Sequence, residues 1–170
     1  MSREVVVLSA VRSAIGAFGG SLADIEPSEL AGTVMKEAVA RSGVDPQAIH
    51  YITVGNCVPT DSRFAYVARV ASIQAGLPMA SVAVAVDRLR SLGLQGIVTT
   101  AQQIMLGDCD YGVGGGVEVM SRGTYMLPAL RTGARMGDTQ AIDWMVATLT
   151  GPLGVGPMGI TAETLAAKWN

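Results

Sequence analysis

The side chains best suited to nucleophilic or acid–base chemistry are few and scattered: one histidine, His50, and two cysteines, Cys57 and Cys109. A catalytic triad or a Cys–His pair would have to use His50, but its place just before a predicted strand makes a strand-edge histidine the simpler interpretation. The chain has no C-x-x-C motif and no pair of histidines, so we predict no metal site. Two cysteines this far apart favour reduced thiols, as in cytoplasmic proteins.

A glycine cluster, Gly112–Gly116, invites a nucleotide-binding interpretation. The G-x-G-x-x-G pattern that starts at Gly112 requires a third glycine at position 117, where Val117 stands, and no helix is predicted directly after it. We therefore interpret the cluster as a strand-to-loop turn that lets another backbone approach closely.

The stretch Ser81–Gly107 is the stronger candidate for a site. Ser81–Val86 is rich in β-branched residues and predicts a strand buried on both faces. Asp87–Gly93 predicts a turn, and Leu94–Leu106 predicts a helix so poor in charge that we expect it to be covered on most sides. A turn between such a strand and helix directs backbone N–H groups and the positive helix end at one point, which makes it the first place to look for chemistry.

Composition limits the classes of function. Of the 170 residues, 49% are hydrophobic and 21 are glycine, which is typical of an α/β domain and not of a disordered segment. A net charge of −2 and the lack of a basic stripe argue against nucleic-acid binding. No apolar run reaches the roughly 20 residues of a membrane span. The N-terminus shows no basic leader followed by an apolar stretch, so we expect no signal peptide.

The predicted elements alternate in the order β-α-β-α-β-α-β, which favours a parallel or mixed sheet with crossover helices. Before Ser81 they are the strand Glu4–Ala10, the helix Pro27–Ser42, the strand Tyr51–Gly55 and the helix Phe64–Ala75. After Gly107 they are the strand Cys109–Gly115, a short helix Ile142–Leu149 and a helix Thr161–Trp169 with Thr161 as its N-cap.

Several stretches together resemble the thiolases, in register from Ser2 to Asn170 and closest to the biosynthetic β-ketothiolases, the acetyl-CoA acetyltransferases. The stretch Arg12–Leu22 is similar to the family's opening signature, and Gly55–Val58 (Gly-Asn-Cys-Val) resembles its second-strand motif. Gly114–Ser121 reads Gly-Gly-Gly-Val-Glu-Val-Met-Ser, similar to the family's Gly-Gly-Gly-x-Glu-x-Met-Ser segment. The short stretches Arg135–Asp138 and Met158–Glu163 also fit.

The resemblance implies an α/β thiolase-like fold: two similar β-α-β-α-β-α-β-β halves, with a loop domain inserted in the first. It implies that residues 1–117 are an incomplete N-terminal half with a mixed sheet, and that residues 118–170 are part of the loop domain. Arg131, Arg135 and Met136 then lie in the loop through which dimers pair into tetramers. Met158 then lies in the coenzyme A pocket.

The resemblance also implies a mechanism in which a cysteine thiolate at the start of the central helix takes an acyl group from acyl-CoA. The family motif is Asn-Arg-Leu-Cys-Gly-Ser-Gly, whereas residues 87–93 read Asp-Arg-Leu-Arg-Ser-Leu-Gly, which puts Arg90 at the nucleophile's position. A guanidinium stays protonated and cannot attack a thioester. A cation is also unfavourable at the positive end of a helix, by roughly 0.3–1 kcal/mol. We expect Arg90 to swing outward, to pair with an acid such as Asp87, or to distort the turn.

A second departure is Pro157, which stands where the family usually has histidine before Met158 and Gly159. The family's acid/base histidine, second cysteine and water-holding asparagine belong to the half that this chain lacks, and neither Cys57 nor Cys109 matches a catalytic cysteine. The resemblance thus implies an acyltransferase by descent, inactive alone, with a coenzyme A thioester as substrate and no cofactor. Its partner would be a homo-oligomer or a chain that supplies the missing half. The alternatives are a non-catalytic acyl-CoA-binding or assembly subunit, and an altered or truncated chain with no native role.

Overall fold

A computed structural model describes residues 3–169, and its centre is a sheet of three parallel strands between two layers of helices. The strands are β1 (Ile49–Gly55), β2 (Val82–Val86) and β3 (Tyr111–Gly116), in the spatial order β2-β1-β3. The helices that connect and cover them are α1 (Pro27–Ser42), α2 (Val67–Gln74) and α3 (Leu92–Leu106). Single turns of 3₁₀ helix lie at Pro46–Ala48, Phe64–Tyr66, Leu89–Ser91, Met120–Arg122 and Pro128–Arg131.

The two faces of the central strand β1 explain the layers. Ile52 and Val54 point to one face, where they join a buried cluster with residues of α1 and α2 such as Met35 and Ala71. The intervening Thr53 points to the other face, where its hydroxyl accepts a hydrogen bond from Thr100 of α3 at 3.0 Å. The hydrophobic core therefore lies mainly between the sheet and the α1–α2 layer, and α3 alone covers the opposite face.

Helix α1 has the predicted bounds, with a proline in its first turn and Gly43 as a left-handed C-cap at φ 71°. Beyond β3 the elements are short: β4 (Tyr125–Met126) pairs antiparallel with β5 (Ile142–Asp143), and β6 (Thr150–Gly151) pairs with β7 (Gly156–Pro157). Helix α4 (Trp144–Leu149) follows β5 directly, and helix α5 (Met158–Trp169) follows β7.

The predicted strand Glu4–Ala10 is wrong: this stretch lies in no sheet of the described residues. It is held at Arg3, which forms an ion pair with Asp110 at 2.7 Å, and at Ser9, whose hydroxyl donates to the Ala38 carbonyl at 2.6 Å. Its apolar residues stay exposed, Val7 by 77%. An apolar, β-branched run forms a strand only when a neighbouring strand accepts its backbone hydrogen bonds, and within residues 3–169 none does.

Two predictions of burial and one prediction of a helix N-cap are also wrong. Strand β2 is an edge strand of the described sheet and Val82 is half-exposed, so the strand is not buried on both faces. Helix α3 leaves apolar residues such as Leu94 uncovered on its outer side, so it is not covered on most sides. Helix α5 begins at Met158, so Thr161 lies inside its first turn and is not its N-cap; the Thr161 hydroxyl donates instead to the Val155 carbonyl, which precedes the helix.

Candidate functional site

The carboxyl ends of the three parallel strands meet at one edge of the sheet, and polar residues follow each of them. Asn56 comes directly after β1, Asp87 directly after β2, and Glu118 two residues after β3. The Asn56 N–H donates to the Val86 carbonyl at 3.1 Å, and the Asn56 side-chain amide donates to the Val117 carbonyl at 2.8 Å. Open parallel sheets place ligand sites at this edge, so the strand ends define the candidate site.

The turn between β2 and α3 is built by local hydrogen bonds. The Asp87 carboxylate accepts the Leu89 N–H at 2.8 Å, and the Ser91 N–H donates to the Arg88 carbonyl at 3.1 Å. Leu89 has φ 49°, which is the only positive φ of a non-glycine residue in the described part of the chain. A leucine in the left-handed conformation costs about 1–2 kcal/mol, so contacts with the surrounding structure must stabilise this turn.

Two close backbone contacts fix where α3 begins. A Cβ on Gly55, at the end of β1, would lie 2.5 Å from the Leu92 carbonyl oxygen. A Cβ on Gly96 would lie 2.5 Å from the Gly115 carbonyl oxygen of β3. Only glycine permits this approach, so the first turns of α3 rest directly on the ends of β1 and β3. The predicted close backbone approach at the Gly112–Gly116 cluster is thereby confirmed, but the cluster lies within strand β3 and not in a turn.

Arg90 lies in the 3₁₀ turn that leads into α3, at the front of the helix, and it is exposed. Its guanidinium donates to the Thr148 carbonyl of α4 at 3.3 Å. Among residues 3–169 it makes no ion pair, and Asp87 accepts a backbone N–H instead. Of the alternatives that the sequence left open, the structure shows an outward Arg90 that does not pair with Asp87, in a turn that also holds the left-handed Leu89.

The thiol of Cys57 is buried close to Asp87 of this turn, but it is unsuited to replace a nucleophile. Its pKa is raised to about 11, first by burial and then by the negative charges of Asp87 and Glu118, with Arg90 acting in the opposite direction. A thiol with such a pKa is protonated at neutral pH and reacts slowly. Cys109 is also buried, and burial raises its pKa. Both thiols are free, as the sequence predicts.

Glu118 contributes a partly buried carboxylate to the site. Its carboxylate accepts the backbone N–H of Cys57 and, at 3.3 Å, that of Val58. Burial raises the pKa of Glu118, and the hydrogen bonds from Cys57, Val58 and Asn56 partly offset this effect. The carboxylate therefore ties the end of β3 to the segment that follows β1.

The other predicted site residues are not joined to Arg90 by any hydrogen bond or ion pair within the described range. Met158 is half-buried at the first position of α5. Arg131 ends the 3₁₀ turn Pro128–Arg131, and Arg135 and Met136 lie in an exposed loop, with Met136 96% exposed. His50 is an exposed residue of β1, in agreement with the simpler interpretation.

The sequence alone does not single out three residues of the site: Asn56, Cys57 and Glu118 stand in it only as parts of motifs or, for Cys57, as a reduced thiol. The signal that could have found them is their position, because each lies within two residues of the carboxyl end of a parallel strand. Among the residues that the structure covers, no group of His, Cys, Asp and Glu side chains could hold a metal ion.

A family model described as "Thiolase, N-terminal domain" matches residues 5–170. The chain belongs to the thiolase family. It is 46% identical over 170 residues to the β-ketothiolase BktB of Cupriavidus necator, covering all of this chain and 43% of that protein. It is 40% identical over 167 residues to an acetyl-CoA acetyltransferase of Chromobacterium violaceum, covering 98% of this chain and 42% of that protein.

Solved thiolase structures share the fold. An acetyl-CoA acetyltransferase of Bacillus anthracis superimposes with a TM-score of 0.90 at 37% identity, covering 99% of this chain and 42% of that chain. Human mitochondrial 3-ketoacyl-CoA thiolase in complex with CoA superimposes with a TM-score of 0.89 at 32% identity, covering 95% and 41%. The chain thus has the thiolase-like fold of an N-terminal half and spans less than half the length of these relatives. None of the helices within residues 3–169 has the length and hydropathy of a membrane span.

Proposed function

We propose that this chain is the N-terminal portion of a β-ketothiolase-type acyltransferase that cannot form an acyl-enzyme, because Arg90 occupies the nucleophile's position. The observation that supports this is the placement of residue 90, at the front of α3 and at the edge where three parallel strands end. In the family's chemistry a cysteine there would attack an acyl-CoA thioester, form an enzyme thioester and release CoA. A helix N-terminus lowers the pKa of such a thiol, whereas a guanidinium has no lone pair to offer at working pH.

The test is to restore the thiol. Arg90→Cys in this chain is mixed with the C-terminal part of the Cupriavidus necator β-ketothiolase, and acetyl transfer from acetyl-CoA is followed by the mass of the chain. We expect an acetyl adduct on Arg90→Cys and none on the unaltered chain. Arg88→Cys, an exposed neighbour on the same turn, is the matched control and should not be acetylated.

Two results would contradict the proposal. Thiolysis of acetoacetyl-CoA by the unaltered chain alone, at a rate typical of an enzyme, would show that Arg90 does not prevent catalysis. Equal acetylation of the Arg88→Cys and Arg90→Cys variants would show that position 90 has no special place in the site.

We also propose that the domain boundary lies at residue 117, that residues Arg131, Arg135 and Met136 belong to a tetramer contact, and that Met158 belongs to a coenzyme A pocket. The exposure of Met136 and the position of Met158 at the start of α5 support these assignments. Glutaraldehyde crosslinking of the chain with and without Met136→Asp tests the contact. The two free thiols support a cytoplasmic location.

The second candidate is a non-catalytic subunit that binds acyl-CoA or assembles with a chain carrying the second half. The uncovered side of α3 favours it, with Leu94 exposed by 66% and Leu106 by 74%. Exposed apolar patches of this kind usually mark an interaction surface. A stable monomer in light scattering that binds no hydrophobic dye would count against this candidate.

A further inference from the structure

Glu118 is a partly buried carboxylate that forms no ion pair within residues 3–169. Its partners include two backbone donors: the Cys57 N–H, and the Val58 N–H, which lies 3.4 Å from Oε1 and 3.3 Å from Oε2. Removing a carboxylate from water costs free energy unless hydrogen bonds replace the lost hydration. The two amides supply them, and the segment after β1 is thereby fixed to the end of β3.

The same segment is bonded to the turn that carries residue 90. Asn56 is 4% exposed, and its N–H donates to the Val86 carbonyl while its side-chain amide holds the Val117 carbonyl. Val86 immediately precedes Asp87, whose carboxylate accepts the Leu89 N–H. Three hydrogen-bonded contacts, joined by the covalent backbone of residues 56–58 and 86–87, thus connect Glu118 to the left-handed Leu89.

We propose that Glu118 is a positioning residue for the turn Asp87–Ser91: it holds the segment after β1, and that segment holds the start of the turn. Leu89 needs such support because its backbone conformation is strained. The effect of Glu118 on the conformation of the turn is independent of the proposed function, whereas any effect on acyl transfer rests on it.

The experiment measures hydrogen exchange at individual amides by NMR in the full chain. Glu118→Ala removes both acceptors, so the Cys57 and Val58 amides should exchange about tenfold faster, the size expected when a buried hydrogen bond is lost. The decisive amide is that of Leu89, which Glu118 does not touch. We expect it to exchange severalfold faster in Glu118→Ala and by a smaller factor in Glu118→Gln, which keeps one acceptor oxygen.

Two further variants give the upper limit of the Leu89 exchange rate and a negative control. Asp87→Ala removes the direct acceptor and sets the largest exchange rate of the Leu89 amide. Asp45→Ala removes a similar contact elsewhere, because Asp45 accepts the Gln47 N–H at 2.9 Å, and it should accelerate Gln47 and leave Leu89 unchanged.

Leu89 exchange that stays at its original rate in Glu118→Ala, while Asp87→Ala accelerates it, would overturn the proposal. So would an equal acceleration of all amides, including those in the centre of α1, because Glu118 would then support only global stability. If Glu118→Ala fails to fold, the Glu118→Gln variant decides, since no acceleration at Leu89 in it contradicts the proposal. None of these outcomes depends on acyl transfer, so a failure here and a failure of the Arg90→Cys test are distinguishable.

Discussion

Gly96→Ala should destabilise the fold, because Gly96 is where α3 lies closest to the sheet. The new Cβ would lie 2.5 Å from the Gly115 carbonyl oxygen, and 3.1 Å from both the Gly115 nitrogen and the Thr53 carbonyl oxygen. The shortest of these is about 1 Å below a normal contact of about 3.5 Å. All three are backbone atoms of paired strands, so they cannot rotate away and the helix has to move.

The expected magnitude follows from two opposing effects. Overpacking a tight interior costs about 1–3 kcal/mol, with the upper end expected where backbone meets backbone. Alanine gains up to about 1 kcal/mol over glycine inside a helix. We therefore expect Gly96→Ala to lower the free energy of unfolding by about 2 kcal/mol, measured by urea denaturation followed by circular dichroism.

Gly93→Ala in the same helix is the matched control. Its Cβ would meet the Gly116 nitrogen at 3.7 Å, an ordinary contact. It gains helix propensity without a clash, so it should leave stability unchanged or raise it by up to about 1 kcal/mol. If Gly96→Ala proves as stable as Gly93→Ala, the close packing of α3 on β3 is not what requires glycine at position 96.

Three further predictions concern the turn, the sheet and the thiol. Leu89→Gly removes the left-handed strain and should raise the free energy of unfolding by about 0.5–1 kcal/mol in urea denaturation. The strain that is relieved exceeds the cost of the greater conformational entropy that glycine gives the unfolded chain. Thr100→Val leaves the buried Thr53 hydroxyl without its donor and should cost about 1–3 kcal/mol, whereas adding Thr53→Val should recover part of this loss in a double-mutant cycle. The folded pKa of Cys57, about 11, exceeds the 9.0 of an ordinary thiol, so the unfolded chain loses its proton first. Stability should therefore fall between about pH 9 and pH 11, by at most about 3 kcal/mol, and Cys57→Ser should remove this loss in urea denaturation at stepped pH.

Each of these has its own check. Leu127 is an exposed leucine at an ordinary φ of −122°, so Leu127→Gly should not stabilise the chain as Leu89→Gly does. A double-mutant cycle with no coupling between the two threonines would disprove their hydrogen bond. Cys109→Ser should leave most of the alkaline loss in place, and a loss that instead disappears in it would assign the effect to the wrong thiol.

The sequence predicts those helices and strands whose caps, hydrophobic period and turn residues all lie within the element or next to it. Helix α1 has an early proline, an apolar stripe and a closing glycine, and its bounds are those predicted. The strands β1 and β3 and the family itself followed from short apolar runs and from motifs in register. Such signals suffice because capping, periodicity and turn chemistry are encoded within a few residues.

The predictions that were wrong share a different cause, because each depends on residues that are distant in the sequence. Glu4–Ala10 has the composition of a strand but no neighbour among the described residues, and the outer face of α3 has the composition of a buried surface but stays exposed. Thr161 was expected to cap α5, but the pairing of β6 with β7 carries the chain into the helix three residues earlier. The role of Glu118 depends on the register between β1 and β3, and a single sequence does not reveal that register.

The two apolar surfaces also constrain the proposed function. Val6, Val7 and Leu8 are exposed in the stretch that Arg3 ties to Asp110, just before the edge strand β3. Leu94, Ile97 and Leu106 are exposed on the helix that covers one face of the same sheet. Patterning of this kind is typical of residues that lose water on assembly, because scattered exposed leucines are common but continuous apolar runs are not. Arg90, by contrast, is an exposed residue whose one hydrogen bond to Thr148 is long, so its replacement should alter stability by less than about 0.5 kcal/mol. The fold would therefore depend on what covers these surfaces and not on the residue at position 90, so Arg90→Cys tests chemistry without testing folding.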